Sequence, residues 1–269
     1  MRCAEVQLAT GCNLAQVTAP CDMRQDEPLD YFLTRRGVGT WANVRQLIQQ
    51  QQVLVNGIIC KHYHRRLLST DVINVSGVDI KDDIDSGTLI CYKKVGFACS
   101  HELKDAPLLY DVVPSQYQHP NLQTVGRLDR DTTGLILLTI DGIWAQLVMA
   151  PEKRCWKRYR LAFSGRLSTD AEARVCRGMM LLDDSRPCLP GRLELLGHAV
   201  DGLGLATMHL CEGRHHQVKR MIAALGGRVE RLHRDRIGGL ELPIDLQPGE
   251  MRPLRADELA RLFERPENV

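Results

Sequence analysis

In the stretch VGRLDRDTTGLILLTIDG, residues 125–142, three carboxylates and two arginines crowd against an apolar run. The run LILLT (135–139) has the length and composition of a buried strand, and Asp141-Gly142 supplies a turn behind it. Asp129 therefore stands in a polar loop just ahead of a rigid element, where catalytic groups are commonly carried. A carboxylate so placed can act as a nucleophile or a base, and must be ionised for either. The competing reading is that Asp129 or Asp131 merely caps a turn.

Two further segments carry side chains that could act with it. In WKRYRLAF (156–163), strand alternation places Lys157, Tyr159, Leu161 and Phe163 on one face. Tyr159 is then either core or a ring on which a base can stack. CEGRHHQVKRMIAALGG (211–227) reads as a helix stopped by a double glycine. Val218, Ile222 and Leu225, with Met221 alongside, form its buried face. A rotation of ~100° per residue sets Lys219 at the flank of that face and Arg220 towards solvent. From the flank a lysine can reach a carboxylate across a cleft, or snorkel to water.

These segments need elements to hold them, and the pattern predicts an α+β chain in two parts. Residues 1–27 show no periodicity and read as a poorly ordered extension. From Pro28 to Val75 the order is helix, helix, hairpin. PLDYFLTRRG carries Leu29, Phe32 and Leu33 at helical spacing up to Gly37, and WANVRQLIQQ turns Val44, Leu47 and Ile48 inward. VLVNGIICKHY then folds back at Asn56-Gly57, a strong hairpin signal. Arg35, Arg36, Arg45, Lys61, Arg65 and Arg66 ride on this small unit, which suits it to gripping a phosphate backbone. The acidic SGVDIKDDIDSG marks a linker over 76–88, and strands alternating with helices over 89–265 predict a mixed-sheet domain.

Composition excludes several classes. No apolar run is long enough to cross a bilayer and no secretory signal opens the chain, so a cytoplasmic protein is expected. Ten cysteines without a CxxC pair fit a reducing compartment and neither a zinc ribbon nor a disulfide framework. In CKHYH, Cys60, His62 and His64 would share a face if the segment is a strand; with no fourth ligand in view, histidines on a strand edge are preferred to a metal site. No Gly-rich nucleotide fingerprint appears, which leaves no pointer to a cofactor. The net charge of +2 conceals basic clusters at 153–160 and 214–220, where an anionic partner could sit.

GRLDRDTTGL, KRY, EGRHHQVKRM and LHRDRIGGL, in that order and spacing, strongly resemble the pseudouridine synthases that modify small-subunit ribosomal RNA in bacteria. The unit at 28–75 is similar to the S4-like RNA-binding module carried by that family. The resemblance implies uridine isomerisation without cofactor or metal, on ribosomal RNA or a subunit assembly intermediate; a monomer is the simplest expectation, and the composition gives no reason to expect a membrane partner. It maps the essential aspartate to Asp129, its basic partner to Lys219 and the stacking tyrosine to Tyr159. Arg127 would contact phosphate or fill the gap left by a flipped base, and Ile237 and Leu240 would wall the pocket. Asp131 and Asp141 would be structural. Where the family has Asn-Lys-Pro this chain has Tyr92-Lys93-Lys94, and a typical Ser-Arg pair becomes Thr40-Trp41, leaving fewer arginines on the RNA-binding module. The same chemistry on large-subunit RNA, and a catalytically silent assembly factor, are the alternatives. A glycoside hydrolase would need a second acid across a sugar from Asp129, and Asp131 is too near in sequence to be one.

Overall fold

The structure, a computed structural model, describes residues 27–264 apart from 37, 69, 81–86 and 183. The expected N-terminal extension, except Glu27, and most of the linker's acidic run lie outside the described residues, as does Gly37. Chain contacts divide the protein into two units, one formed by the chain to Leu33 with Trp41–Ile80, the other by Thr34–Thr40 with the chain from Lys81 on.

In order, the chain up to Ile80 contains β1 (Glu27–Pro28), α1 (Leu29–Arg35), α2 (Trp41–Gln49), β2 (Val53–Val55), β3 (Ile58–Ile59), β4 (Arg66–Leu67), β5 (Ile73–Val75) and β6 (Val78–Ile80). Leu29, Phe32, Leu33, Val44 and Ile48 are fully buried, as the helical spacing requires, while Leu47 is only half-buried. Asn56 and Gly57 both have positive φ, the conformation a two-residue hairpin turn demands. The strands order as β3-β2-β5-β6, so β6 occupies part of the stretch read as a linker.

The second unit follows with β7 (Thr88–Lys93), β8 (Gln123–Thr124), β9 (Thr133–Thr139), α3 (Gly142–Met149), β10 (Lys157–Gly165), α4 (Ala171–Arg177), β11 (Arg192–His198), β12 (Gly204–Leu210), α5 (Gln217–Ala224), β13 (Gly227–Ile237), β14 (Leu240–Glu241), β15 (Met251–Pro253) and α6 (Ala256–Arg261). Its mixed sheet runs β11-β12-β10-β13-β9-β7-β15. The LILLT run is β9, buried from Gly134 to Thr139, and it pairs antiparallel with β7 and parallel with β13. Gly134 permits that parallel approach: its φ is +113°, and a Cβ there would collide with the Arg234 carbonyl. Leu161, Phe163, Val218, Met221, Ile222 and Leu225 share one core cluster, which locks α5 onto the inner face of β10. Asp141 caps α3, accepting from the Trp144 amide at 2.8 Å. Among the described residues no helix is long and apolar enough to cross a membrane.

The outer face of the same strands carries Arg158 and Arg160, both hydrogen-bonded to Asp235. Beside them His209 is buried on β12, with Arg158 and Arg192 as its cross-strand partners. Burial first, then the charges of Arg236, Arg158 and Arg192, push its imidazole down to about 4. The unfolded chain takes up this proton near 6.5 and the native state only near 4. The unfolded state therefore binds more protons between those values, and acidification through that window erodes stability by up to about 3 kcal/mol. Urea unfolding from pH 7 to 4 is expected to show this loss, and His209→Gln to flatten it; parallel curves would contradict it.

Candidate active site

Asp129 lies in the turn between β8 and β9, closed by the Thr132 amide donating to the Asp129 carbonyl at 3.0 Å. The turn is anchored from below by Lys93, the last residue of β7, whose side chain is completely buried. Its ammonium donates to the carbonyls of Lys94, Asp129, Arg130 and Thr132 at 3.2, 3.0, 3.3 and 2.8 Å. Burial lowers its pKa, with nearby Cys99, Asp131 and Asp129 acting against that. Arg130 ties the turn outward to the carbonyls of Asp105 and Ala106, and Thr133 meets His233 Nδ1 at 2.9 Å. The aspartate is thus held by a network, and β9 supplies only part of its rigidity.

The helix α5 brings the partners. Lys219 Nζ is 3.1 Å from Asp129 Oδ2 and 2.6 Å from Asp131 Oδ1. His216, which precedes α5 in a left-handed conformation, places Nε2 3.4 Å from Asp129 Oδ1 and stacks on His215. Burial acts to lower the Lys219 pKa, but the hydrogen bonds to Asp131 and Asp129 outweigh it and the ammonium sits above the ordinary lysine value. Burial likewise tends to raise Asp131, and the Lys219 hydrogen bond and charge overcome it to hold the carboxyl low. Asp131, expected to be structural, is a second acceptor for Lys219.

The approach to Asp129 is fixed by a second network. Arg214 donates to Glu212 and Asp184 and to the carbonyls of Arg186 and Pro187, Gln217 donates to Glu212 at 2.7 Å, and Arg220 reaches Asp184 at 2.8 Å. Arg214 and Arg220 of the 214–220 cluster are therefore neutralised within the fold, while Lys219 and His216 turn to Asp129. In the basic run at 153–160, Arg158 and Arg160 are likewise paired with Asp235.

Asp129 opens onto a cavity of about 630 Å³ lined also by Arg127, Lys157, Tyr159, Arg234 and Ile237, enough for a nucleoside. Tyr159 faces it, its hydroxyl 3.5 Å from Arg234 Nη1. Arg127 is exposed at its edge. Leu240 does not line it: pairing of β14 back onto β13 sets its side chain in the core cluster that also holds Ile237.

The candidate RNA contacts between residues 28 and 75 fare unevenly. Lys61 is exposed. Arg45 is bound to Asp30 at 3.2 Å and lies against the rings of Trp41 and Tyr63. Arg36 is half-buried, and the side chain of Arg35 is outside the described atoms. Cys60, His62 and His64 share no strand face, because β3 ends at Ile59; the Cys60 thiol contacts the His62 carbonyl and His64 turns towards Asp30.

The sequence nominates Asp129, Tyr159 and Lys219, which line one cavity, and gives no sign of His216, Lys93 or Arg234 beside them. The model of the RNA pseudouridylate synthase family matches residues 87–224, and that of the S4 domain matches 27–73. Ribosomal small subunit pseudouridine synthase A of Pasteurella multocida is 36% identical over 86% of this chain and 97% of that protein. Its counterpart in Vibrio cholerae is 36% identical over 87% and 99%. A crystal structure of a pseudouridylate synthase superposes with a TM-score of 0.59 at 32% identity, covering 88% of this chain and 99% of the other.

Proposed function

Because the chain belongs to the RNA pseudouridylate synthase family, with an S4 domain ahead of the catalytic one, we propose that it converts one uridine of small-subunit ribosomal RNA to pseudouridine, using Asp129. The observation that carries this reading is the Asp129 carboxylate, held between Lys219 and His216 at a nucleoside-sized cavity that Tyr159 faces.

The reaction breaks the bond from ribose C1′ to uracil N1, turns the ring and joins C1′ to ring C5, whose proton leaves. Asp129 serves it as an ionised group, acting on the ribose or the base, with Lys219 keeping its charge compensated. The target uridine is flipped out of the RNA. Tyr159 supports the loosened ring by stacking, Ile237 bounds the space it turns in, and Arg127 at the rim meets the backbone or the vacated stack. Lys61, Arg36 and Arg35 add phosphate contacts, whereas Arg45 acts mainly through its pair with Asp30. The substrate is naked ribosomal RNA or a subunit assembly intermediate, and the protein works in the cytoplasm as a monomer.

Tritium release from RNA labelled at uridine C5 tests this. Small- and large-subunit RNA, free and as assembly particles, are compared. Release from small-subunit RNA or its particles is the expected result. Release from large-subunit RNA alone would transfer the assignment to the other subunit, and binding without release from any of them would leave an assembly factor.

A further inference from the structure

Behind Asp129 the cavity carries two cations that the steps above do not use. Lys157 is 8% exposed and Arg234 3% exposed, and both line the space that Tyr159 faces. No carboxylate or carbonyl among the described residues meets the Lys157 ammonium; its charged or titratable neighbours are Cys155, Cys211 and Arg234. Arg234 is held by its Nε, which donates to the Leu135 carbonyl at 2.9 Å, and by Nη1 at Tyr159, while Nη2 is buried with no partner. The placement is built into the strand register. Tyr159 pairs with Arg234 across β10 and β13 and Lys157 pairs with Ile237, with a bulge between the two pairs.

Two buried cations without an acid are costly to a fold. Burial, and to a lesser degree the nearby Arg234, press the Lys157 ammonium below the ordinary lysine value. Such an arrangement is best explained by negative charge that arrives with the ligand. When the C1′–N1 bond breaks, its electron pair stays on N1, and the detached ring is an anion delocalised on to its carbonyl oxygens. When C5 then bonds to C1′, the C5 proton departs and N1 regains a proton, so the charge is transient and confined to the time the ring is free. We propose that Lys157 and Arg234 form the subsite that binds the detached uracil anion, so that they stabilise bond cleavage and guide the turned ring. This rests on the function proposed above and adds substrate-contacting residues to it. A backbone phosphate is the other source of anionic oxygen. The ring is favoured because the two cations are buried beside Tyr159 and Ile237, whereas the exposed Arg127 marks the rim.

The test is single-turnover conversion by Lys157→Met, with Lys157→Gln as a second variant, on RNA carrying uridine or 5-fluorouridine at the target. Conversion is read by nuclease digestion and mass spectrometry as the C1′–C5 glycoside; on 5-fluorouridine C5 has no proton to lose, so the product keeps its fluorine and is scored with water added across N1–C6. Fluorine makes the free ring a better-stabilised anion, so it relieves the need for an external cation. On uridine the variants are expected to lose about 100-fold in rate with RNA affinity unchanged, and on 5-fluorouridine at least about tenfold less than that. Their melting temperature is expected to equal or exceed that of the wild type, since a buried uncompensated cation has gone. Equal losses on both substrates, or no loss, would overturn the proposal. Weaker RNA binding with a salt slope reduced by about one would assign the cations to a phosphate instead. If the wild type converts no RNA at all, the functional reading fails first and takes this one with it; an active wild type with unaffected variants removes only this one.

Discussion

Asp129→Asn is expected to abolish isomerisation, by at least about 10⁴-fold in single-turnover rate, while RNA affinity changes by less than about threefold. The substitution keeps the size of the side chain and one oxygen able to accept from Lys219, so the turn has no steric reason to move. Lys219 also retains Asp131 at 2.6 Å, which keeps the ammonium compensated. Lys93 and Arg130 hold the turn through backbone carbonyls, none of which the change touches. What is lost is the anionic oxygen itself. An amide is a poor nucleophile and no base, and neither His216 nor Lys219 can supply a replacement negative charge. Tritium release measured beside filter binding separates the two quantities. Turnover within tenfold of the wild type would refute the role given to Asp129, and a parallel loss of binding would show that the charge serves the fold or the RNA contact.

The contrast between Asp129 and its neighbours shows how far a sequence can be read. Local pattern carried the elements: the Asn56-Gly57 turn, the buried LILLT strand and the inner face of α5 each follow from periods of two or 3.6 residues. The helical phase of α5 even set Lys219 at a flank from which it could reach a carboxylate. Pairings that join distant segments left no local trace. Lys93 meets the Asp129 turn across 36 residues, Arg234 meets Leu135 across 99, and His216 owes its place to a left-handed backbone that no neighbouring residue announces. The same blindness made the basic clusters look freer than they are. Asp184 and Asp235, each remote in sequence from the arginines it binds, turn what reads as an anion-binding surface into internal scaffolding. The resemblance to a known family nominated the aspartate, the tyrosine and the lysine, yet it could not say that Asp131 shares that lysine.

Lys93→Met is the substitution expected to affect both stability and rate most widely. Methionine fills the space of the aliphatic stem but leaves the carbonyls of Lys94, Asp129, Arg130 and Thr132 facing a group that cannot donate. Hydrogen bonds from a charged donor contribute about 1.5–3 kcal/mol each, and an orphaned buried acceptor costs about 1–3 kcal/mol. Removal of a desolvated ammonium returns part of that. Some of the carbonyls keep other partners, since the Thr132 amide reaches that of Asp129 and the Gly96 amide reaches that of Arg130 at 2.8 Å. A net destabilisation of about 2–4 kcal/mol is therefore expected. The rate should fall further than the folded fraction does, by about 100-fold at a temperature where the variant is fully folded, because a turn released from its anchor lets the carboxylate drift from the attacking position. RNA affinity, which depends on surfaces away from Lys93, should hold. Urea unfolding, filter binding and tritium release on one preparation decide the matter. A destabilised variant with full turnover would mean that β9 and Arg130 fix Asp129 without help. A stable variant with depressed turnover would mean that the ammonium acts on the carboxylate through its charge, beyond its hold on the backbone.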